Sequence, residues 1–293
     1  MQMRTKTGAI PIGFRRGKTP WQNDLPALCA WAKTSGFQSI DLNVATAADI
    51  ATVKSAGLEL GSVDLIQIGE IATGDPGKRR ELRDANAVYI RECAAAGAKI
   101  FFTIVGGDPA RKRSENFKIA AESFAPLAET AASCGSVIAI EGYPGQAPHY
   151  ALLCTTPETC RAMLKQIPRG LAINYDPSHL IRLGVDAVRF LREFIGHVVH
   201  VHAKDTQFFP EAIYEFGMHQ PAAFAPPHGY GQHVWRYTLP GQGSADWSAI
   251  CRTLGEVNYP GRLSIELEDE NFNGTEAGEK AGLMQSLEFL SKV

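Results

Sequence analysis

The chain has 293 residues, of which 45% are hydrophobic and 20% charged, a soluble globular profile long enough to bury a large core without staples. Lys and Arg number 29 against 31 Asp and Glu, a formal charge of -2. With no basic block anywhere, that balance argues against a nucleic-acid partner, because phosphate-backbone binding is driven by clustered excess cations. The six cysteines, Cys29, Cys93, Cys134, Cys154, Cys160 and Cys251, form no CxxC pair and read as reduced, packed thiols rather than a disulfide framework or structural zinc site. No stretch is apolar enough for a signal peptide or a membrane span, so a cytoplasmic protein with no membrane engagement is expected.

In chain order, short apolar runs rich in β-formers alternate with longer amphipathic segments. A strand over 9–14 precedes a helix over 21–35 that opens after Pro20. A strand over 38–42 leads to a helix over 47–56 closed by Gly57, and a strand over 58–65 to a helix over 78–96 closed by Gly97. The next pair, 99–105 and 114–134, is closed by Gly135; a glycine just past the last turn is a common helix stop. There follow a strand over 137–141, a helix over 157–166, a strand over 171–176 and a helix over 187–195. The series ends with a strand over 198–202, a helix over 246–254, a strand over 263–267 and a helix over 275–290. Eight near-continuous apolar strands alternating with helices predict the α/β class and, in its simplest closure, a single-domain (β/α)₈ TIM barrel over 1–293. An open doubly wound sheet is disfavoured because Gly13-Phe14-Arg15-Arg16-Gly17 lacks the glycine spacing of a dinucleotide turn. One irregular stretch, 205–243, is rich in Pro, Gly, His and aromatics and is expected to be a long loop after strand 7, a lid or binding loop. Its apolar residues suit either a cover for the site or the interface of a homo-oligomer.

Side chains two apart on a strand share a face. Ala139 and Glu141, then Ala172, Asn174 and Asp176, then His200 and His202, then Ser264 and Glu266 each oppose large apolar neighbours. In a barrel the apolar face meets the helices, so these polar residues point inward. Each set ends in a metal-competent side chain at the C-terminal end of its strand, where barrel enzymes place their chemistry. Glu141, Asp176, His202 and Glu266 in one layer would repel and desolvate one another without a cation. A mainly carboxylate donor set predicts one divalent metal ion, with Mn²⁺ first and Mg²⁺, Co²⁺ or Zn²⁺ as alternatives. Competing readings exist for single residues: Glu266 as part of an exposed acidic rim, His200 as a hydrogen-bonded core histidine, Lys204 as a rim lysine paired to Asp205.

The pieces IAIEGYPG, NYDPSHL, VHVHAKDT, PGQGSADW and LSIELED make the C-terminal half resemble the xylose-isomerase-like (AP endonuclease 2-type) sugar phosphate isomerase/epimerase superfamily. The N-terminal half matches it only in strand–helix rhythm. The resemblance implies that Glu141, Asp176, His202 and Glu266 ligate the metal, that both glutamates also act on substrate, and that His179 contacts a substrate oxygen. Nuclease members of the superfamily carry further histidines on the third and fourth strands; Val63-Asp64-Leu65-Ile66 and Thr103-Ile104-Val105-Gly106 have none.

The expected activity is that of a sugar isomerase or epimerase on a small carbohydrate or polyol. Glu141 and Glu266 would move a proton beside a carbonyl through a metal-stabilised enediolate. Expulsion of a β-hydroxyl from the same species would make a dehydratase of the inosose or dehydroshikimate kind, with Lys204 as a proton donor. A non-catalytic carbohydrate-binding barrel is the third reading. Arg236 is a candidate clamp for a substrate carboxylate or phosphate.

Overall fold

Aliphatic residues directed outward and small or polar residues directed inward fix the side on which each strand meets its helix. The computed structural model, which describes residues 3–145 and 151–293, has ten strands: β1 (Ile12–Arg15), β2 (Ser39–Leu42), β3 (Glu59–Asp64), β4 (Ile100–Ile104), β5 (Val137–Glu141), β6 (Leu171–Tyr175), β7 (Val198–Ala203), β8 (Asp205–Phe208), β9 (Trp235–Thr238) and β10 (Leu263–Ile265). Eight of them close into a barrel in the order β1-β10-β7-β6-β5-β4-β3-β2. The register pairs Glu141 with Asn174, Asn174 with His200, and Ser264 with both His202 and Gly13, which puts the polar residues of neighbouring strands in adjoining layers.

The helices are α1 (Leu25–Ser35), α2 (Ala47–Ser55), α3 (Pro76–Ala96), α4 (Arg113–Ser133), α5 (Pro157–Gln166), α6 (Pro177–Arg182), α7 (Ala187–Phe194), α8 (Pro210–Phe216), α9 (Trp247–Glu256) and α10 (Glu276–Leu290). The expected strands and helices all occur, with ends shifted by a few residues. The helix expected over 21–35 is split: Pro20–Gln22 makes a 3₁₀ turn, and α1 starts afresh where Asp24 accepts from the Ala27 amide at 3.0 Å. Gly97 ends α3 with φ 105°, a left-handed conformation open to glycine at no steric cost.

Two regions hold elements that were not foreseen. The six-residue α6 is too short to show helical periodicity. Pro177 opens it and the Asp176 side chain accepts from the Ser178 amide at 2.8 Å. The stretch 205–243 is also not the structureless loop expected from its composition. β8 and β9 pair antiparallel, with α8 between them, and Val234, Trp235 and Tyr237 make a small core with Phe208 and Phe216. The hairpin lies over the C-terminal mouth because β8 follows β7 after a single residue, Lys204.

Candidate metal centre and active-site cavity

Glu141, Asp176, His202 and Glu266 come together at the C-terminal mouth, each offering a ligand atom within 4.8 Å of the others. Glu141 ends β5, Asp176 follows β6, His202 lies near the end of β7 and Glu266 follows β10. Side-chain exposure is 4% for Glu141, 0% for Asp176 and His202, and 14% for Glu266. Glu266 is therefore the member that faces the opening, and it is not a solvated rim residue.

The cluster is internally bonded. Glu141 Oε1 accepts from Asn174 Nδ2 at 2.6 Å and lies 2.7 Å from His202 Nδ1, while its Oε2 lies 3.2 Å from His179 Nε2. The other ring nitrogen of His179 is 2.7 Å from the Tyr237 hydroxyl. Lys204 is buried and donates to Glu266 Oε2 at 2.6 Å and Glu268 Oε2 at 2.9 Å, with Asp176 Oδ2 at 3.3 Å. The pairing of Lys204 with Asp205 considered from the sequence does not form. Asp205 instead points away from the mouth, accepting from the amides of Thr206, Gly241 and Ala245 and from Trp247 Nε1.

Electrostatics follow from this packing. Burial opposes ionisation of Glu141 and Glu266, yet His202 and, for Glu266, first Lys204 hold both carboxyls well below the usual range. Burial likewise opposes a charged His202, but Glu266 and Glu141 raise it well above an ordinary histidine. Lys204 is similarly raised against its burial, by Glu266, Glu268 and Asp176. The site thus carries an excess of carboxylate, which raises the proton affinity of His202. The donor set fits a divalent cation for the same reason. Asp176 adds a second sign: its Oδ1 is engaged by Ser178, whereas the buried Oδ2 makes no hydrogen bond and meets only longer ion-pair contacts, Lys204 at 3.3 Å and His179 at 3.4 Å, which leaves it available as a ligand oxygen.

A cavity of about 350 Å³ opens directly above the cluster, lined by Glu141, His179, Lys204 and Glu266 together with Arg15, Tyr143, Arg182, Trp235 and Tyr237. That volume suits a small ligand. A larger cavity of about 510 Å³ lies at the opposite, N-terminal mouth between Lys54, Lys99, Tyr259 and Arg262. It is bordered by His200 of a smaller three-residue cluster with Asp41 and His202, not by the four-residue set, so size alone does not identify the site. Arg182 sits over the Trp235 ring at 4.5 Å, and Lys204 over Tyr237 at 4.5 Å, so the β8–β9 hairpin supplies an aromatic wall.

Arg236, expected as a substrate clamp, is not among the residues lining this cavity. Alternation along β9 sends Trp235 and Tyr237 to the mouth and Arg236 to the other side, where it donates to Asp269 at 3.1 Å, Gln207 at 3.0 Å and Glu270 at 3.4 Å. Of the histidines in the same stretch, His228 pairs with Glu270 and His233 with the Ala225 carbonyl. His200 is the hydrogen-bonded core histidine considered above, 2.8 Å from Asp41.

Sequence reasoning missed Arg15, Asp41 and Asp64. Arg15 donates to both Asp64 oxygens at 2.8 and 2.7 Å, approaches Glu266 at 3.3 Å and lies 4.6 Å above the Phe102 ring. Arg15 and Asp64 end β1 and β3, and Asp41 shares its face of β2 with Ser39, positions too ordinary on single strands to single them out.

A closed parallel barrel with a four-residue, mixed carboxylate–imidazole cluster at its C-terminal mouth defines the class of metal-competent TIM barrels. The chain belongs to the xylose isomerase-like TIM barrel family, whose model matches residues 29–293. Among curated relatives, the inosose dehydratase of Clostridium botulinum is 23% identical over 285 residues, 91% of each chain, and that of Clostridium perfringens is 23% identical over 276 residues, 90% of each chain. Among solved structures, 3-keto-D-glucoside 4-epimerase from E. coli superposes with a TM-score of 0.70 at 17% identity, covering 96% of this chain and 98% of that one. D-psicose 3-epimerase from Clostridium cellulolyticum gives 0.68 at 13% identity, covering 97% of this chain and all of the other. At these identities the structural likeness concerns the fold.

Proposed function

We propose that the protein is a divalent-metal-dependent isomerase or epimerase of a small carbohydrate or polyol ketone, acting by proton transfer beside a carbonyl. The observation that carries this reading is that Glu141 and Glu266, on strands separated in the barrel by β6 and β7, line the same cavity. Glu141, Asp176, His202 and Glu266 would hold the ion, with Mn²⁺ favoured. The ion would supply Lewis-acid stabilisation of negative charge developing beside the acidified C–H bond.

The chain's own groups do the rest. Glu266, the more open of the two glutamates, is placed to take a proton from one face of a carbon in the cavity. Glu141, fixed by Asn174 and His179, is placed to return one from the other face. His179 is oriented by Tyr237 toward the substrate side of Glu141, and Trp235 and Tyr237 restrict water at the mouth.

A dehydratase is the second reading, favoured by the inosose dehydratase relatives and by Lys204. Its buried ammonium lies against Glu266 and could protonate a departing hydroxyl.

Incubation with Mn²⁺ in D₂O and a panel of ketoses, aldoses and cyclic polyol ketones, followed by proton NMR with chelator controls, tests both. Chelator-sensitive deuterium uptake beside a carbonyl, with a new sugar, is expected. Loss of water with a conjugated, ultraviolet-absorbing product would replace the first reading by the second. Metal-dependent sugar binding with neither change would overturn both in favour of a binding protein.

A further inference from the structure

The sequence-derived site ends at four ligands, but a second polar layer lies directly beneath His202. Asp41, on β2, is fully buried at the barrel axis. Its Oδ1 accepts from the Ser62 amide at 2.8 Å; its Oδ2 accepts from the Ser264 hydroxyl and lies 2.8 Å from His200 Nε2. The same oxygen is 3.7 Å from His202 Nε2, a buried nitrogen with no hydrogen-bond partner among the described residues. The His200 and His202 rings stand at 80° with centroids 5.4 Å apart, so one carboxylate oxygen faces a nitrogen of each.

The two nitrogens of His202 are therefore divided between two surroundings. Nδ1 faces Glu141 at 2.7 Å and Glu266 at 3.4 Å, and Nε2 faces Asp41. A ligating imidazole needs a bare nitrogen toward the ion and a hydrogen on the other; at 3.7 Å Asp41 makes no hydrogen bond to Nε2, but its negative charge behind the ring favours the hydrogen on that nitrogen. Close packing makes the arrangement stiff: a Cβ added at Gly61 would fall 1.8 Å from Asp41 Oδ1, so Asp41 occupies space that only glycine leaves open.

We propose that Asp41, held in place by His200, Ser264 and the Ser62 amide, is a positioning residue for the metal centre: it fixes His202 with the hydrogen on Nε2 and the Nδ1 lone pair toward Glu141 and Glu266. The proposal rests on the metal-centre reading above, but not on whether the reaction is an isomerisation or a dehydration. The rival is a second metal site, since Asp41, His200 and His202 also bring ligand atoms within 4.8 Å of one another. Both oxygens of Asp41 already accept hydrogen bonds, from the Ser62 amide and from the Ser264 hydroxyl, which favours positioning over coordination.

The test is calorimetric titration of the full-length apoprotein with Mn²⁺, without substrate. Wild type is expected to bind one ion per chain. Asp41→Asn is expected to bind one ion about 10–100-fold more weakly, the usual consequence of removing a carboxylate behind a ligating histidine. Ser264→Ala, which removes a single hydrogen bond to Asp41, is expected to weaken binding by a smaller factor and serves if Asp41→Asn fails to fold by circular dichroism. Asp41→Asn (or Ser264→Ala in its place) binding as tightly as wild type would overturn the positioning role while leaving the four-ligand centre intact. Two ions in wild type and one in Asp41→Asn would overturn it in favour of a second metal site. No binding by wild type would overturn the metal centre and the positioning role together.

Discussion

The two halves of the barrel contribute differently to one site. β5, β6, β7 and β10 each bring a side chain of the four-residue cluster. β1, β2 and β3 bring none, yet Arg15, Asp41 and Asp64 from these strands touch the cluster or brace a residue that does. The C-terminal half supplies donors for an ion, and the N-terminal half supplies charges that hold those donors in place. A cluster of carboxylates is costly to bury alone, so orienting groups are required wherever the ligands are. They need not come from the strands that carry the ligands.

The largest effects are expected where the donors themselves change. Glu266→Gln and Glu141→Gln should each lower turnover by about 10²–10⁴-fold and weaken Mn²⁺ binding, with the fold kept by circular dichroism. Turnover near that of wild type in either variant would remove the corresponding glutamate from the chemistry.

A change in the bracing half should register first as stability. Asp64→Ala deprives Arg15 of its two-pronged partner inside the barrel, leaving a largely buried guanidinium with Glu266 alone. A loss of about 3 kcal/mol is expected, read as a lowered urea midpoint at unchanged slope. A midpoint equal to that of wild type would make Arg15 a substrate-facing group rather than a brace.

A third comparison uses Glu279 of α10, buried away from the ligands. Its carboxylate accepts from Thr19 at 2.5 Å, Trp21 at 2.6 Å, Gln22 at 2.9 Å and the Gly274 amide at 3.1 Å. Burial opposes its ionisation, but these donors hold it below the usual glutamate range. A carboxyl lower in the folded than in the unfolded chain stabilises fully above the unfolded value, and that contribution fades as pH falls through the folded one. Glu279→Gln should therefore cost about 1–3 kcal/mol near pH 7, and the gap from wild type should narrow in acid. A gap that is constant with pH would show that the charge is not what the donors recognise.

The smallest catalytic effect is expected at Arg236. Arg236→Gln should leave KM and Mn²⁺ affinity within about twofold of wild type, because its guanidinium serves Asp269 and Gln207 behind the hairpin. A selective, large rise in KM would restore the clamp reading.

These contrasts also mark how far the amino-acid sequence could be read. Glu141, Asp176, His202 and Glu266 were legible because each ends an alternating strand at the same end, a one-dimensional signal. Arg15, Asp41 and Asp64 gave no such signal: a lone charge ending a strand is common, and only closure of the barrel places Asp41 under His202. The stretch 205–243 misled for the opposite reason. Its prolines, glycines and aromatics suggest a loose lid, but Phe208, Phe216 and Trp235 bury one another and give it a hairpin and a helix. Arg236 was misplaced with it, since parity along β9 could not be assigned before β9 was known to be a strand. α6 escaped because six residues opened by Pro177 show too little periodicity.

The most direct measurement is a crystal structure of the protein grown with Mn²⁺, with anomalous scattering recorded on both sides of the manganese edge. One anomalous peak coordinated by Glu141, Asp176, His202 and Glu266 is the predicted result. No peak there, or a peak bounded instead by Asp41 and His200, would contradict the four-ligand centre on which the proposed chemistry depends.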